Sequence, residues 1–91
     1  MTILPKPLSF EWDSGNLDKN FLKHQVSNRE AEEVFSSNPK LLFVEQRHMI
    51  WGKTNQERLL SVIFKIRSTT IRVISARDLN KKERRFYEKT T

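Results

Sequence analysis

The chain has 91 residues, with 17 Lys and Arg against 11 Asp and Glu, a net charge of +6 and no cysteine. One small domain is all that this length supports, and disulfides and thiolate metal sites are excluded. Hydrophobic residues make up 36% and charged residues 31%, which describes a globular chain whose charge favours a polyanionic partner, nucleic acid or an acidic protein. No apolar run approaches the ~20 residues of a membrane span. Met1-Thr2-Ile3-Leu4-Pro5 lacks the basic start and long apolar core of a signal peptide, so the cytoplasm is the expected location.

Pro5 and Pro7 keep the first residues extended. Leu8-Ser9-Phe10-Glu11-Trp12 alternates and predicts a short first strand, at a sheet edge. Asp13 can cap a following helix, with Leu17 and Phe21 at i, i+4 as its buried face and an end near His24-Gln25. A second helix starts at Ser27, which has the S-x-x-E spacing of a capping box with Glu30. Ala31, Val34 and Phe35 form its apolar stripe, and Asn38-Pro39 stops it. Two strands follow, at 41–45 and 49–53, joined by residues 45–48, and Thr54-Asn55-Gln56-Glu57 is a polar turn.

The stretch 58–88 organises the rest. Leu60, Val62, Phe64 and Ile66 alternate with Ser61, Ile63, Lys65 and Arg67, the period of a half-buried strand. Ile71–Ala76 is a second β-rich run beyond the polar pair Ser68-Thr69. A hairpin turn of two or four residues pairs Ile66 with Ile71, Lys65 with Arg72, Phe64 with Val73 and Ile63 with Ile74. One face then holds Phe64, Ile66, Ile71 and Val73, against which Leu17, Phe21, Val34 and Phe35 are expected to pack. The other face gathers Lys65, Arg67 and Arg72. Like charges set across a sheet repel, which predicts an anion beside them. Asn80 and Glu83 offer a second capping pair for a basic helix ending near Lys89. The resulting order, β-α-α-β-β-β-β-α, implies the α+β class: an antiparallel sheet with two N-terminal helices on one face and a C-terminal helix.

Several chemistries find no support. His24 and His48 are far apart, no HExxH or thiolate set exists, and neither a Gly-rich phosphate loop nor a Gly-x-Ser-x-Gly elbow is present. No metal or cofactor is expected. Trp12, Trp51 and Phe43 read as core aromatics. The candidates are the cationic hairpin face of Lys65, Arg67 and Arg72, the group of Arg77, Lys81, Lys82, Arg84, Arg85 and Tyr87, and the pair Lys23-His24. The plain alternative for the last helix is a solvated face with Arg84–Glu88 pairing at i, i+4.

These residues carry a resemblance. Phe10-Glu11-Trp12-Asp13, Asn20-x-x-Lys23-His24-x-Val26, Ile71-Arg72-Val73-Ile74-Ser75-Ala76-Arg77 and Glu83-Arg84-Arg85-x-Tyr87-Glu88 resemble, in order, motifs of the BrnT family. BrnT proteins are toxins of type II toxin–antitoxin modules with a RelE-like fold. Three features depart from the family pattern: Gln25 stands where a glycine usually follows Lys-His, the 45–48 connection is short, and the Ser68-Thr69 turn lacks glycine. The missing glycine disfavours a two-residue turn and suggests four.

The resemblance implies a metal-independent ribonuclease that inhibits translation. A BrnA-type antitoxin would neutralise it, with DNA reached only through that antitoxin. It places Arg67, Arg72 and Arg77 at phosphates, with Lys65, Lys23 and His24 as further RNA contacts. Arg77, Arg84 and Tyr87 would form the catalytic set, Tyr87 as proton donor or ribose-orienting group. The antitoxin is expected to cover Arg72, Arg77 and the last helix. The competing expectation, from a different class, is a non-catalytic basic module that binds RNA, DNA or protein.

Overall fold

The computed structural model describes residues 9–37, 39–44 and 47–90. Expectations for Pro5, Pro7, Leu8 and Asn38, and for the side chain of Phe43, lie outside what is described. Helices α1 (Lys19–His24) and α2 (Asn28–Phe35) precede strands β1 (Lys40–Val44), β2 (Arg47–Lys53), β3 (Leu59–Arg67) and β4 (Thr70–Asp78), and α3 (Lys81–Thr90) follows. The four strands form one antiparallel sheet in sequence order. This is the α+β arrangement expected from the sequence. Arg47 and His48, expected in the connection, belong to β2 and pair with Val44 and Phe43.

The sheet buries Leu60, Val62 and Phe64 of β3, Ile71, Val73 and Ala76 of β4 and Ile50 of β2 against Ala31, Val34 and Phe35 of α2. Phe35 meets Phe64 edge-to-face at 4.9 Å and Phe10 at 5.2 Å. Full burial of each large apolar side chain stabilises by about 1.5–3 kcal/mol, whereas an exposed ion pair contributes about 0–1. This layer therefore decides the fold. Ser27 caps α2 as expected: its Oγ accepts from Glu30 N (3.1 Å), and its N–H donates to Glu30 Oε1 (3.0 Å).

The opposite face of the sheet carries Trp51, whose indole N–H donates to Ser61 Oγ (3.1 Å). Leu79 and Tyr87 join Trp51 in a second cluster, with Leu42, Met49 and Leu59 against it. The α3 helix thus packs on the face away from α2. It is capped by Asn80, which exchanges hydrogen bonds with Glu83 (2.8 and 3.0 Å).

Four expectations need correction. The first strand is a single parallel bridge between Phe10 and Ile71, closed by Glu11 N–H to Ile71 O and Ile71 N–H to Ser9 O (both 2.8 Å). The hairpin loop has two residues, since Arg67 pairs with Thr70, and Ser68 enters the left-handed region at φ 57° without help from glycine. Ile63 pairs with Ser75 rather than Ile74, because a register shift between Ile63 and Phe64 inserts one extra residue in β4. A two-for-one bulge of this kind changes which side chains of the later residues face inward. It turns Ala76 inward and sends Arg77 to the α3 face.

The fourth concerns α1. Leu17 is 48% and Phe21 53% exposed, and the inward residues are Asn16 and Asn20. The chain takes a left-handed turn at Asp18 (φ 57°) before the helix starts, so Leu17 is out of phase with it. Asp13 accepts from Gly15 N–H (2.8 Å) in that turn instead of capping α1. The inward face is polar because it meets backbone. Asn16 Nδ2 donates to Val73 O (3.0 Å) and Glu11 O (2.9 Å), and Asn20 Oδ1 accepts from Ala76 N–H (3.0 Å). Replacing Asn16 with Ala strands the buried Val73 carbonyl and is expected to cost about 1–3 kcal/mol, or roughly 4–20 °C in Tm. Leu22→Ala, at an 85% exposed position, should stay within about 0.5 kcal/mol in the same thermal melts.

Candidate active site

The bulged hairpin separates the expected cationic residues into two groups. Lys65, Arg67 and Arg72 sit at the loop end of β3 and β4, with Lys65 opposite Arg72 as the alternation predicts. Arg77 faces Ser61, four rungs along the ladder from the Lys65–Arg72 pair, roughly 13 Å at about 3.3 Å per residue. They do not form one site.

At the loop end, the anion called for by the clustered cations belongs to the chain itself. Arg72 grips Asp13 with both terminal nitrogens (2.8 and 3.0 Å) and reaches Glu11 at 3.3 Å, and Arg67 lies 3.8 Å from Glu11. Arg72 holds the exposed Asp13 carboxyl below the usual carboxylate range, with the Gly15 N–H adding to the effect. An ideal Cβ on Gly15 would stand 2.8 Å from Arg72 Nη2, so that glycine leaves room for the guanidinium. Lys65 makes no ion pair among the described residues.

At the other end, Arg77 donates to both oxygens of Glu83 (2.7 and 2.8 Å) and to Asp78 O (3.0 Å). Glu83 also accepts the Asn80 N–H, so one carboxylate fixes the start of α3 and the direction of Arg77 together. That pairing lowers the Glu83 carboxyl and raises Arg77.

Beside this pair lies Arg58, which the sequence pattern did not single out. Its Nε and Nη2 donate to Asp78 (2.7 and 2.9 Å), its Nη1 to Glu30 (3.1 and 3.2 Å) and Gln25 O (2.8 Å), and Nη2 also to His24 O (3.3 Å). One guanidinium thus ties β3, β4, the end of α1 and the start of α2. The hydrogen bond from Arg58 lowers the Asp78 carboxyl, and the nearby charges of Arg84 and His24 lower it further. Burial works to raise Glu30 but is outweighed by the Ser27 N–H and Arg58. The sequence register, followed to its end without the bulge, sets Arg77 opposite Leu60; the bulge is what brings Asp78 there, next to Arg58.

A shallow cavity of about 260 Å³ opens here, lined by Glu57, Arg58, Leu59, Asp78 and Arg84. Arg84 reaches this cavity from α3, and the carbonyl of His24, at the end of α1, accepts from Arg58 Nη2 at its rim. Gln25 ends α1 in the left-handed conformation (φ 57°), donating its N–H to Phe21 O (2.9 Å), and so turns the chain directly after His24. Lys23 is exposed on the last turn of α1. Tyr87, one turn beyond Arg84, is only 5% exposed within the Trp51–Leu79 cluster. Among the described residues, no three His, Cys, Asp or Glu side chains are grouped to hold a metal ion. Nor is any helix there long and apolar enough to cross a membrane.

Two arginines, Arg58 and Arg84, line an open polar cleft on this small basic α+β domain, the charge that a phosphodiester would meet. The chain belongs to the BrnT family: the family model for the ribonuclease toxin BrnT of type II toxin–antitoxin systems matches residues 12–83. The match includes Lys23, His24, Lys65, Arg67, Arg72 and Arg77 and ends before Arg84 and Tyr87. Membership implies an antitoxin partner. No curated protein matches the chain.

Arg58→Met should lower stability at neutral pH by about 2 kcal/mol, since it strands two carboxylates and two carbonyls. Asp78 and Glu30 have depressed carboxyls in the fold, so their contribution is present above the unfolded value and is lost as the pH falls through the folded one. The gap between wild type and Arg58→Met is therefore expected to narrow below about pH 4. Urea titrations at pH 7 and pH 3.5 measure it.

Proposed function

We propose that the chain is a metal-independent endoribonuclease that arrests translation and is neutralised by a BrnA-type antitoxin. The observation that carries this reading, beside family membership, is the open cavity lined by Arg58, Asp78 and Arg84, with the His24 carbonyl bonded to Arg58 at its rim. In such a reaction the ribose 2′-oxygen attacks the adjacent phosphorus, and the bond to the 5′-oxygen breaks. The products are a 2′,3′-cyclic phosphate and a 5′-hydroxyl. A base accepts the 2′-OH proton, an acid supplies one to the leaving oxygen, and a cation holds the charge on the phosphorane. Arg84 suits the last task through its planar fork. Imidazole is the side chain that most readily carries a proton near neutral pH, so His24 takes the transfer.

The burial of Tyr87 moves that role away from it: its ring anchors α3 on Trp51, and α3 presents Arg84. Arg77 acts through Glu83, as a positioning residue for the same helix. Lys65 and Lys23 then contact the RNA backbone, with Arg67 and Arg72 supporting the loop end from their carboxylates. DNA is reached only through the antitoxin. A non-catalytic binding module is the competing reading.

Induced expression with RNA cleavage mapped in the presence of ribosomes tests both. Arg84→Ala and His24→Ala should each lower cleavage by on the order of 10²–10³. For the exposed Arg84, the change in folding stability should stay within about 0.5 kcal/mol. Tyr87→Phe keeps the ring and should cleave like wild type; its inactivity would return the proton donor to the phenol. A binding module would show no cleavage even in the wild type, and an affinity that falls with salt by a log–log slope of about one per phosphate contact.

A further inference from the structure

Arg58, Arg67, Arg72 and Arg77 are all neutralised by the chain's own carboxylates. Of the surface where the sequence suggested an antitoxin would sit, Arg72 and Arg77 are therefore already paired, whereas Lys81, Lys82, Arg84 and Arg85 of the last helix stay exposed. Three of the four large exposed apolar side chains among the described residues lie on α1 or just before it, and the fourth, Phe86, is on α3. Leu17, Phe21 and Leu22 are 48, 53 and 85% exposed, while Phe86 rests edge-on against Trp51.

The arrangement around α1 is regular. Successive residues of a helix turn by about 100°. Asn20 points inward to the Ala76 N–H. Going round the outside from there, Phe21, Leu22, Lys19 and Lys23 follow in that order, an apolar half and then a basic half. Lys19 and Lys23 are exposed and make no ion pair among the described residues. Singly exposed leucines are ordinary, but an apolar cluster rimmed by unpaired charge marks a binding surface. The same helix ends at His24.

We propose that the outer face of α1, formed by Phe21, Leu22 and Lys19 with Leu17 beside it, is the docking surface for the antitoxin. Its occupant is an amphipathic segment with apolar side chains on Phe21 and Leu22 and carboxylates opposite Lys19 and Lys23. Seated there, it extends past His24 at the end of α1 towards the cavity lined by Arg58, Asp78 and Arg84. This rests on the toxin reading for its meaning, though its binding prediction does not require RNA cleavage. Inhibition then works by covering one corner of the site and needs no contact with Arg72.

The test uses the full chain co-expressed with the protein encoded by the adjacent reading frame, supplied as the antitoxin. Leu22→Asp places a charge in the apolar half and should weaken capture of that protein by on the order of 10- to 100-fold. Growth arrest should then persist despite the antitoxin, with RNA cleavage by the toxin alone unchanged. Lys19→Glu is the second variant: its loss of affinity should be clear at low salt and narrow at high salt. Wild-type affinity in both folded variants would overturn the proposal. So would size-exclusion showing that Leu22→Asp only converts a dimer of this chain to a monomer. Variant-sensitive capture without cleavage by the wild type would remove the ribonuclease reading and leave the docking surface standing. Failure of the wild type to bind the antitoxin would remove the docking surface.

Discussion

The outer edge of β4 is the constraint on which the rest of the molecule depends. An edge strand presents a row of unpaired N–H and C=O groups that invite another chain to pair. Here the N-terminal segment answers them one at a time. Ser9 and Glu11 bond Ile71 from both sides, Asn16 takes Val73 O, and Asn20 takes Ala76 N–H. That work explains why Asn16 and Asn20, in α1 and the turn before it, point inward, and why Leu17, Phe21 and Leu22 face out. An apolar residue at position 20 would bury more hydrocarbon but leave the Ala76 N–H unmet beside the bulge. The polar choice fixes where α1 lies, and with it His24 and the exposed apolar face.

Charge in this protein is organised locally rather than as one basic field. A net charge of +6 suggests a broad cationic surface, yet the arginines of the sheet are bound into separate carboxylate pairs. Arg72 with Asp13 holds the N-terminal turn, Arg58 with Asp78 and Glu30 joins three elements, and Arg77 with Glu83 sets the start of α3. Such partly exposed pairs contribute modestly to stability. Their larger effect is positional: they fix the elements, while cations outside them, Lys19 and Lys23 on α1 among others, stand where a partner can use them.

Much of this was legible in the sequence where a single local rule governed. The capping pairs Ser27–Glu30 and Asn80–Glu83, the α2 stripe, the antiparallel sheet and the loop-end register from Phe64 to Arg67 all follow from spacing. What failed depended on partners distant in sequence. The i, i+4 spacing of Leu17 and Phe21 suggested a buried stripe because nothing local announces the left-handed turn at Asp18 or the need of β4 for side-chain partners. The Ser68-Thr69 loop adopts the two-residue form without glycine, as does the turn at Gln25, so left-handed backbone is carried by residues that ordinarily avoid it, each at roughly 1–2 kcal/mol. Neither glycine of the chain has positive φ. Gly15 and Gly52 are set by space instead, next to Arg72 and to Ser37, Pro39 and Val34. For the site, His24 and Arg84 were visible as residue types, whereas Arg58 and the burial of Tyr87 appear only once the sheet is assembled.

The extra residue in β4 has a consequence for how this strand can vary. Substitutions along it change one side chain at a time, whereas the residue count sets which face each one takes. Removing Ile74 would leave Val73 opposite Phe64 and Ser75 opposite Ile63 in an unbroken pleat, with Ala76 still inward and Arg77 still towards Glu83. A second deletion would exchange inside and outside for everything beyond it, and would drive the guanidinium of Arg77 into the layer now filled by Ala76. The strand can give up its one spare residue, and after that it has none to lose.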